Sequence, residues 1–430
     1  MTSLAVQVVV VGGGVSGLAA AGEAHAGGAR VLLIEERPVL GGRAAIVPGA
    51  RGLAEGLMRE LRNAEVWRNS VVWGVFGRTL AALHRGRTSL LQADAIILTT
   101  GAVEQMIPFP GWTLDGITTL DDGWEAFRGG KIGPSNAPVA IVAGEEGASL
   151  ASRLAERGIA ARLVAQERPK GLSEKVSLLE GGPVVAARGS GAVERIVLAD
   201  GGEHECRMLC VESTRAPRTD LARLAGSPCV YQPRLGGYVP RYDRAMTLHG
   251  PVTRLFVAGD AGGVDAPRAA AESGRLAARS ALQELGLLPD AESKMEETRQ
   301  RLRAAAVPLI ARAREALTTG AMPDDVLERW EGPPETIFCK CEGVTAGALQ
   351  AAVDEGARTA DELKRATRCG MGLCQWRWCG TPVMRWLSGV LEVPMGRLPL
   401  PRVRPPVRAI PASALADGDD PAVALPSLRN

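Results

Sequence analysis

The sequence predicts an α/β fold divided into two or three domains, and three observations carry that expectation. A β-branched run, Val8–Val11, leads through a glycine turn into a helix-like stretch, and a similar strand and turn recurs at Val139–Gly147. Five of the eight cysteines fall between Cys339 and Cys379. At 430 residues the chain exceeds the size at which a single core keeps growing. Its 52 glycines, 28 prolines and 46% hydrophobic residues suit an α/β protein rich in tight turns.

A formal charge of +2 gives no reason to expect a nucleic-acid or anionic-membrane partner. No apolar run approaches the roughly 18 residues of a spanning helix, and the chain enters its first strand without a charged leader. A soluble, cytoplasmic protein is therefore expected. In that compartment clustered cysteines favour metal or redox chemistry over structural disulfides.

The first turn reads Gly12-Gly13-Gly14-Val15-Ser16-Gly17 and opens the helix at Leu18. Gly12 allows the tight turn, Gly14 lets backbone approach a pyrophosphate, and Gly17 lets helix and strand pack closely, so that the helix N-terminus faces the phosphates. A second strand, Arg30 to Ile34, ends in Glu35, 23 positions after Gly12, where a carboxylate can accept both hydroxyls of an adenosine ribose.

After a short loop comes Gly41-Gly42-Arg43. From here the chain resembles the two-dinucleotide-domain flavoproteins, whose Rossmann-like flavin domain is split by an inserted nicotinamide domain. The resemblance makes FAD the expected cofactor. It implies contacts from the Gly12–Gly17 turn, including Val15 and Ser16, and from Glu35, Glu36, Gly42, Arg43 and Val72. Arg43 can hold phosphate or lie against the adenine side, or it can be a solvated loop cation. Trp67–Phe76 and Ser89–Leu98 read as strands, and the second ends in Thr99-Thr100-Gly101-Ala102, which resembles the family's T-G-A turn. Arg254–Asp260 is similar to the strand and Gly-Asp turn that return the chain to the flavin domain, and it places Gly259 and Asp260 near the ribityl chain. That turn stands about 245 residues after the first fingerprint, as a split domain requires.

The inserted lobe looks like the family's nicotinamide domain with two departures. Glu146 replaces the second fingerprint glycine, where a carboxylate would meet a pyrophosphate with like charge and bulk. The next strand, Ala161 to Ala165, ends at Gln166 instead of a ribose-binding acid. The lobe is expected to keep the fold without binding NAD(P). Cys206 and Cys210 lie four apart on an expected strand, roughly 13 Å from one another, and with Cys229 they read as core thiols. Ile107–Trp112 reads as a Pro-rich connection.

In the cysteine block, Cys339-Lys340-Cys341 is followed after 27 residues by Cys369, Cys374 and Cys379. By spacing alone zinc and an iron–sulfur centre are equally served, since both want four thiolates. A flavin neighbour favours a [2Fe-2S] cluster, which turns a hydride's two electrons into single ones. The block resembles the bacterioferritin-associated-ferredoxin type of [2Fe-2S] domain. More closely, the chain is similar along nearly its whole length to the larger flavin subunit of opine oxidases, D-hydroxyproline dehydrogenases, dye-linked proline dehydrogenases and hydrogen cyanide synthase. The resemblance implies Cys339, Cys341, Cys374 and Cys379 as ligands, with Cys369 as the alternate. Trp376 stands where relatives tend to have Gly, and its indole would screen the cluster. Thr345 and the Thr359–Glu362 box should cap the two helices of the insert.

The expected domains are 1–120 with 236–290 for FAD, 121–235 for the nicotinamide-like lobe, 291–335 for a helical linker (Met295, Leu302, Leu309 and Ile310 in helical register, then Pro323), 336–390 for the [2Fe-2S] domain and 391–430 for a Pro-rich tail. Such a tail lies extended on a surface, wraps a partner or stays mobile. None of the four histidines (His25, His84, His204, His249) adjoins a motif. The resemblance accordingly implies a hetero-oligomer, in which a second flavin subunit takes a hydride from the C–N bond of an amino acid or opine and this chain relays the electrons. It leaves room for an FMN at the subunit interface and for a small third subunit. One rival is a self-contained NAD(P)H-dependent flavin reductase passing electrons to an external acceptor. The other is a flavoprotein scaffold with a zinc-stapled tail.

Overall fold

The computed structural model describes residues 6–306 and 330–416, apart from 46, 48, 62, 63, 136, 143, 144, 213, 214, 236, 265 and 290. Gly144 of the second fingerprint, and Leu309, Ile310 and Pro323 of the expected linker, lie outside the described residues.

Strand Val6–Val11 is almost wholly buried and pairs in parallel with Val31–Ile34 on one side and with Arg87–Leu98 on the other. The 12-residue strand Arg87–Leu98 serves two layers. Its later half also pairs in parallel with Leu255–Val257, while its earlier half closes an antiparallel meander with Thr79–His84 and Val71–Phe76. The meander strand Thr79–His84 was not expected from the sequence, because its alternation is weak and the tight turn at Gly77 falls inside what reads as one connection. The helices Val15–Ala26 and Pro267–Glu284 pack side by side beneath this sheet. Gly274 makes that possible, since a Cβ there would lie 2.1 Å from the Ser16 carbonyl oxygen. The flavin-type lobe is thus assembled from both ends of a long excursion.

The excursion builds a second, all-parallel sheet in the order Ser177–Leu179, Ala161–Val164, Val139–Val142, Met208–Val211, Ile117–Thr119. Ile117–Thr119 lies before the boundary expected at 121, because its pairing partner is Met208–Val211 of the second lobe. Thr119 caps the helix Leu120–Arg128 by accepting the Asp122 N–H at 3.2 Å. Cys206 and Cys210 are buried in this lobe, and burial pushes their thiols up to about 11 and about 12. Desolvation does the same to Cys229, to about 12. All three behave as core thiols.

Both connections between the lobes run through one antiparallel ribbon, Ala102–Glu104 with Arg215–Pro217. Around it five charged side chains meet. Arg215 reaches Glu146 at 2.6 Å, Glu104 at 3.5 Å and Asp121 at 3.6 Å. Arg43, from the first lobe, reaches Glu146 at 2.5 Å and Asp121 at 3.2 Å. Three carboxylates face two guanidinium groups.

Residues 330–400 form the third body. A short hairpin, Ile337–Cys339 with Val344–Thr345, precedes helices Ala346–Asp354, Ala360–Thr367 and Gly380–Leu391. Thr345 caps the first helix, and Thr359 with Glu362 forms a full capping box on the second. Phe338, Leu349, Leu363, Val383 and Leu387 make its core, which extends onto Tyr231 and Tyr238 of the first body. The Trp112 indole N–H donates to the Ile337 carbonyl at 2.5 Å, so the Pro-rich connection anchors this body and is more than a linker.

Two expected appendages are packed parts of the protein. The helix Ala291–Ala305 lies on Pro267–Glu284, burying Met295 and Leu302, and Arg279 ties them by donating to Thr298 at 2.6 Å while pairing with Glu23 at 2.6 Å. The Pro-rich segment runs back over the first lobe. The Arg223 guanidinium donates to the Pro401 carbonyl, the Val407 N–H to the Trp73 carbonyl at 2.9 Å, and Arg408 pairs with Asp220 at 3.3 Å. Among the described residues no helix is long and apolar enough to cross a membrane.

The ribbon cluster generates a pH dependence. Burial, and then the Asp121 carboxylate, raise the Glu104 carboxyl to about 7, against the Asp121 N–H and Arg215. A carboxyl whose folded-state value is raised favours the fold when protonated, so this stabilisation is present below about pH 4.5 and is lost as pH rises through about 7. The thermal midpoint should fall across that window, and Glu104→Gln should flatten the fall. An unchanged pH slope in the variant would remove Glu104 as its cause.

Candidate functional site

The first site is a cleft of about 360 Å³ along the carboxyl edge of the first sheet. Its floor is the glycine turn. Gly12 adopts φ 111°, and a Cβ at Gly17 would fall 1.8 Å from the Gly12 carbonyl oxygen, so the turn closes only with glycine at both positions. Gly14 has open space before its Cα, and the following Val15 and Ser16 begin the helix facing the cleft. An anion there meets free backbone N–H groups at a helix N-terminus. Gly42 sits against the same turn, since a Cβ on it would be 3.1 Å from the Gly14 Cα.

Glu35, 8% exposed, ends the second strand with its carboxylate in the cleft; it accepts the Gly13 N–H at 2.5 Å and the Arg37 N–H at 2.7 Å. Val72, Thr100, Gly101 and Asp260 line the walls. Gly259 places Asp260 there by adopting φ 66°, with its N–H donating to the Ser273 hydroxyl at 2.9 Å. Glu36 is turned toward Arg218 at 3.4 Å and Arg408 at 3.6 Å. Burial would raise its carboxyl, but Arg408 and Arg218 overcome that and hold it below the usual range.

Arg43 lines the same cleft. Its guanidinium belongs to the ribbon cluster, held by Asp121 and Glu146, because those carboxylates offer a fixed pair of partners across the lobe boundary. The same contact occupies Glu146, so the fingerprint position of the second lobe is filled by an ion pair from the first.

Three contributors to the cleft were not anticipated. Thr99 donates its hydroxyl to the Val11 and Gly12 carbonyls at 2.9 and 2.8 Å and so holds the glycine turn; its place just before Thr100-Gly101 was the available signal. Arg408 and Trp378 line the cleft from remote segments, and nothing local in their sequence announces that.

The second site is the sulfur pocket. Cys339, Cys369 and Cys379 are buried with their sulfurs within 4.8 Å of one another. Cys374 receives hydrogen bonds from the Cys379 and Cys341 thiols, which with the Cys379 bond foremost lower it to about 5. Hydrogen bonds from Cys369 and then Cys379 push Cys339 down to about 2. Backbone groups add to this. Gly370 N–H donates to the Cys339 sulfur at 3.4 Å, and Trp378 N–H donates to Cys374. The three buried sulfurs of Cys339, Cys369 and Cys379, with Cys374 and Cys341 beside them, fit a soft metal centre by the chemistry of the donor set. Cys341 is the exposed member. The Trp376 indole is wedged between Gly370 and Gly380, where a Cβ on either would come within 2.1 and 2.6 Å of the ring.

The loop Cys374–Cys379 joins the two sites. Its sulfurs belong to the pocket, Trp378 lines the cleft, and the Arg377 carbonyl accepts from the Gln105 side chain at 2.8 Å.

The pyridine nucleotide-disulphide oxidoreductase profile matches residues 6–275, and the BFD-like [2Fe-2S] binding domain profile matches residues 337–388. An opine oxidase subunit of Agrobacterium tumefaciens (strain Ach5) is 28% identical over 468 residues, covering 95% of this chain and 91% of that protein. The HcnB subunit of hydrogen cyanide synthase from Pseudomonas aeruginosa is 28% identical over 462 residues, covering 94% and 97%. The crystal structure of L-proline dehydrogenase from P. horikoshii superposes with a TM-score of 0.76 at 21% identity, over 95% of this chain and 79% of that one, and shows the shared fold. The chain belongs to the pyridine nucleotide-disulphide oxidoreductase family, as an FAD-dependent oxidoreductase of Rossmann-like fold that carries a BFD-like [2Fe-2S] binding domain.

Proposed function

We propose that the chain is the electron-transfer flavin and iron–sulfur subunit of a hetero-oligomeric dehydrogenase whose partner, a second flavin subunit, oxidises the C–N bond of an amino acid or opine. The observation that carries this reading is the shared loop Cys374–Cys379, which contributes sulfurs to the pocket and the Trp378 side chain to the cleft. The opine oxidase and hydrogen cyanide synthase relatives are by name enzyme subunits, which supports a hetero-oligomer.

FAD supplies two-electron and the [2Fe-2S] cluster one-electron chemistry when bound. The chain's residues would hold them: Glu35 would accept the ribose hydroxyls, the Gly14–Gly17 amides would receive the pyrophosphate, Val72, Thr100 and Gly101 line the cleft the flavin would enter, and Asp260 would meet the ribityl chain. Cys339, Cys341, Cys374 and Cys379 would hold the cluster.

Binding of NAD(P) by the second lobe is disfavoured. Glu146 is paired to Arg43 and Arg215, and a pyrophosphate would have to displace two guanidinium groups from a half-buried carboxylate.

Three outcomes follow. Purified anaerobically, the chain should carry iron and sulfide alongside flavin and give a rhombic spin signal on reduction; zinc without iron would defeat the cluster. NADH should leave the flavin of the isolated chain oxidised over minutes, whereas rapid bleaching would restore the reductase alternative. Glu35→Gln removes the charge from two hydrogen bonds, each worth about 1.5–3 kcal/mol, so FAD should bind at least about tenfold more weakly. Equal retention of flavin on equilibrium dialysis would displace Glu35 from the ribose.

A further inference from the structure

The sulfur pocket holds one cysteine more than a tetrathiolate centre uses. Its position is built. Helix Ala360–Thr367 ends in Arg368 at φ 63°, a left-handed turn that directs the chain inward. The Cys369 N–H donates to the Thr367 hydroxyl at 3.2 Å, and the next N–H, of Gly370, donates to the Cys339 sulfur at 3.4 Å. The Cys369 side chain is 0% exposed, and its sulfur lies with those of Cys339 and Cys379 inside one 4.8 Å group.

Chain order suggests the pairs Cys339 with Cys341 and Cys374 with Cys379. By position Cys339, Cys369 and Cys379 form one buried group, with Cys374 beside Cys379 and Cys341 at the exposed edge. Cys369 therefore competes most directly with Cys379 for the place beside Cys339.

We propose that Cys369 is a built-in substitute ligand, placed beside Cys339 in the intact protein and positioned to take the place of Cys379 when that sulfur is lost. The inference rests on the sulfur pocket being the iron–sulfur site proposed above. The exchange involves no change of oxidation state. The Cys369 S–H bond breaks, its proton goes to water, and the sulfur–iron bond that forms replaces the one residue 379 no longer makes.

The test compares full-length Cys369→Ser, Cys379→Ser and the double variant, purified anaerobically, by iron and sulfide per bound flavin and by the spin resonance of the reduced state. Cys369→Ser should keep the wild-type iron content. Cys379→Ser should keep more than half of it with altered g values, and the double variant should fall at least about tenfold. Cys379→Ser as iron-poor as the double, an iron-poor Cys369→Ser, or an iron-replete double variant would each overturn the proposal. Bound flavin reports whether each variant has folded. Where Cys379→Ser loses its flavin, Cys369→Ala decides. Removing the sulfur beside Cys339 should shift the cluster's midpoint potential and spectrum, and an unchanged potential and spectrum overturns the proposal. Iron-free wild-type protein would defeat the cluster reading itself and this inference with it, whereas iron-replete wild type with unsupportive variants defeats the inference alone.

Discussion

The close approach of helix Pro267–Glu284 to helix Val15–Ala26 is the contact on which the rest of the molecule depends. The first lobe is not contiguous in sequence, and its two halves are joined only if the returning helix can settle on the first one. Gly274 against the Ser16 carbonyl sets that distance, and helix–helix packing at such range tolerates no added side chain. From this contact follow the pairing of Leu255–Val257 with the long strand, the position of Asp260 opposite the glycine turn, and the seat for helix Ala291–Ala305. The cleft results from this closure.

The ribbon cluster is the second constraint. Burying charges is costly unless each finds a partner. Arg43 and Arg215 pair with Asp121 and Glu146, and Glu104, whose carboxyl is raised toward the neutral form, completes the group around the two connections between the lobes. The arrangement ties the lobes in one orientation. It also places Glu146, at the start of the second lobe's helix, in the joint between the lobes.

Much of this was legible in the sequence because it is local. The Gly12–Gly17 turn, Glu35, the Gly-Asp return and the Thr359 capping box are each written in a few adjacent residues whose types admit few other backbones. What could not be read is long-range. Arg43 looks identical as a phosphate ligand or an ion-pair partner until Asp121 and Glu146 are brought to it. The Pro-rich stretch 399–411 shows no periodicity, yet Val407 and Arg408 are buried in the first lobe. The Ala291–Ala305 helix is too charged to announce a core face, and only Met295, Thr298 and Leu302 decide its docking. The cysteine spacing located the sulfur pocket, but order along the chain does not reveal which sulfurs meet in its interior.

Arg408 lines a cleft whose first contributor is Val11. The wall of the nucleotide site therefore draws on nearly four hundred residues of chain, and during synthesis the site stays incomplete until that late arginine has emerged. Elements near the start fold early, but the cleft gains its far wall only after the cysteine-bearing body, which precedes Arg408 in the chain, has been made.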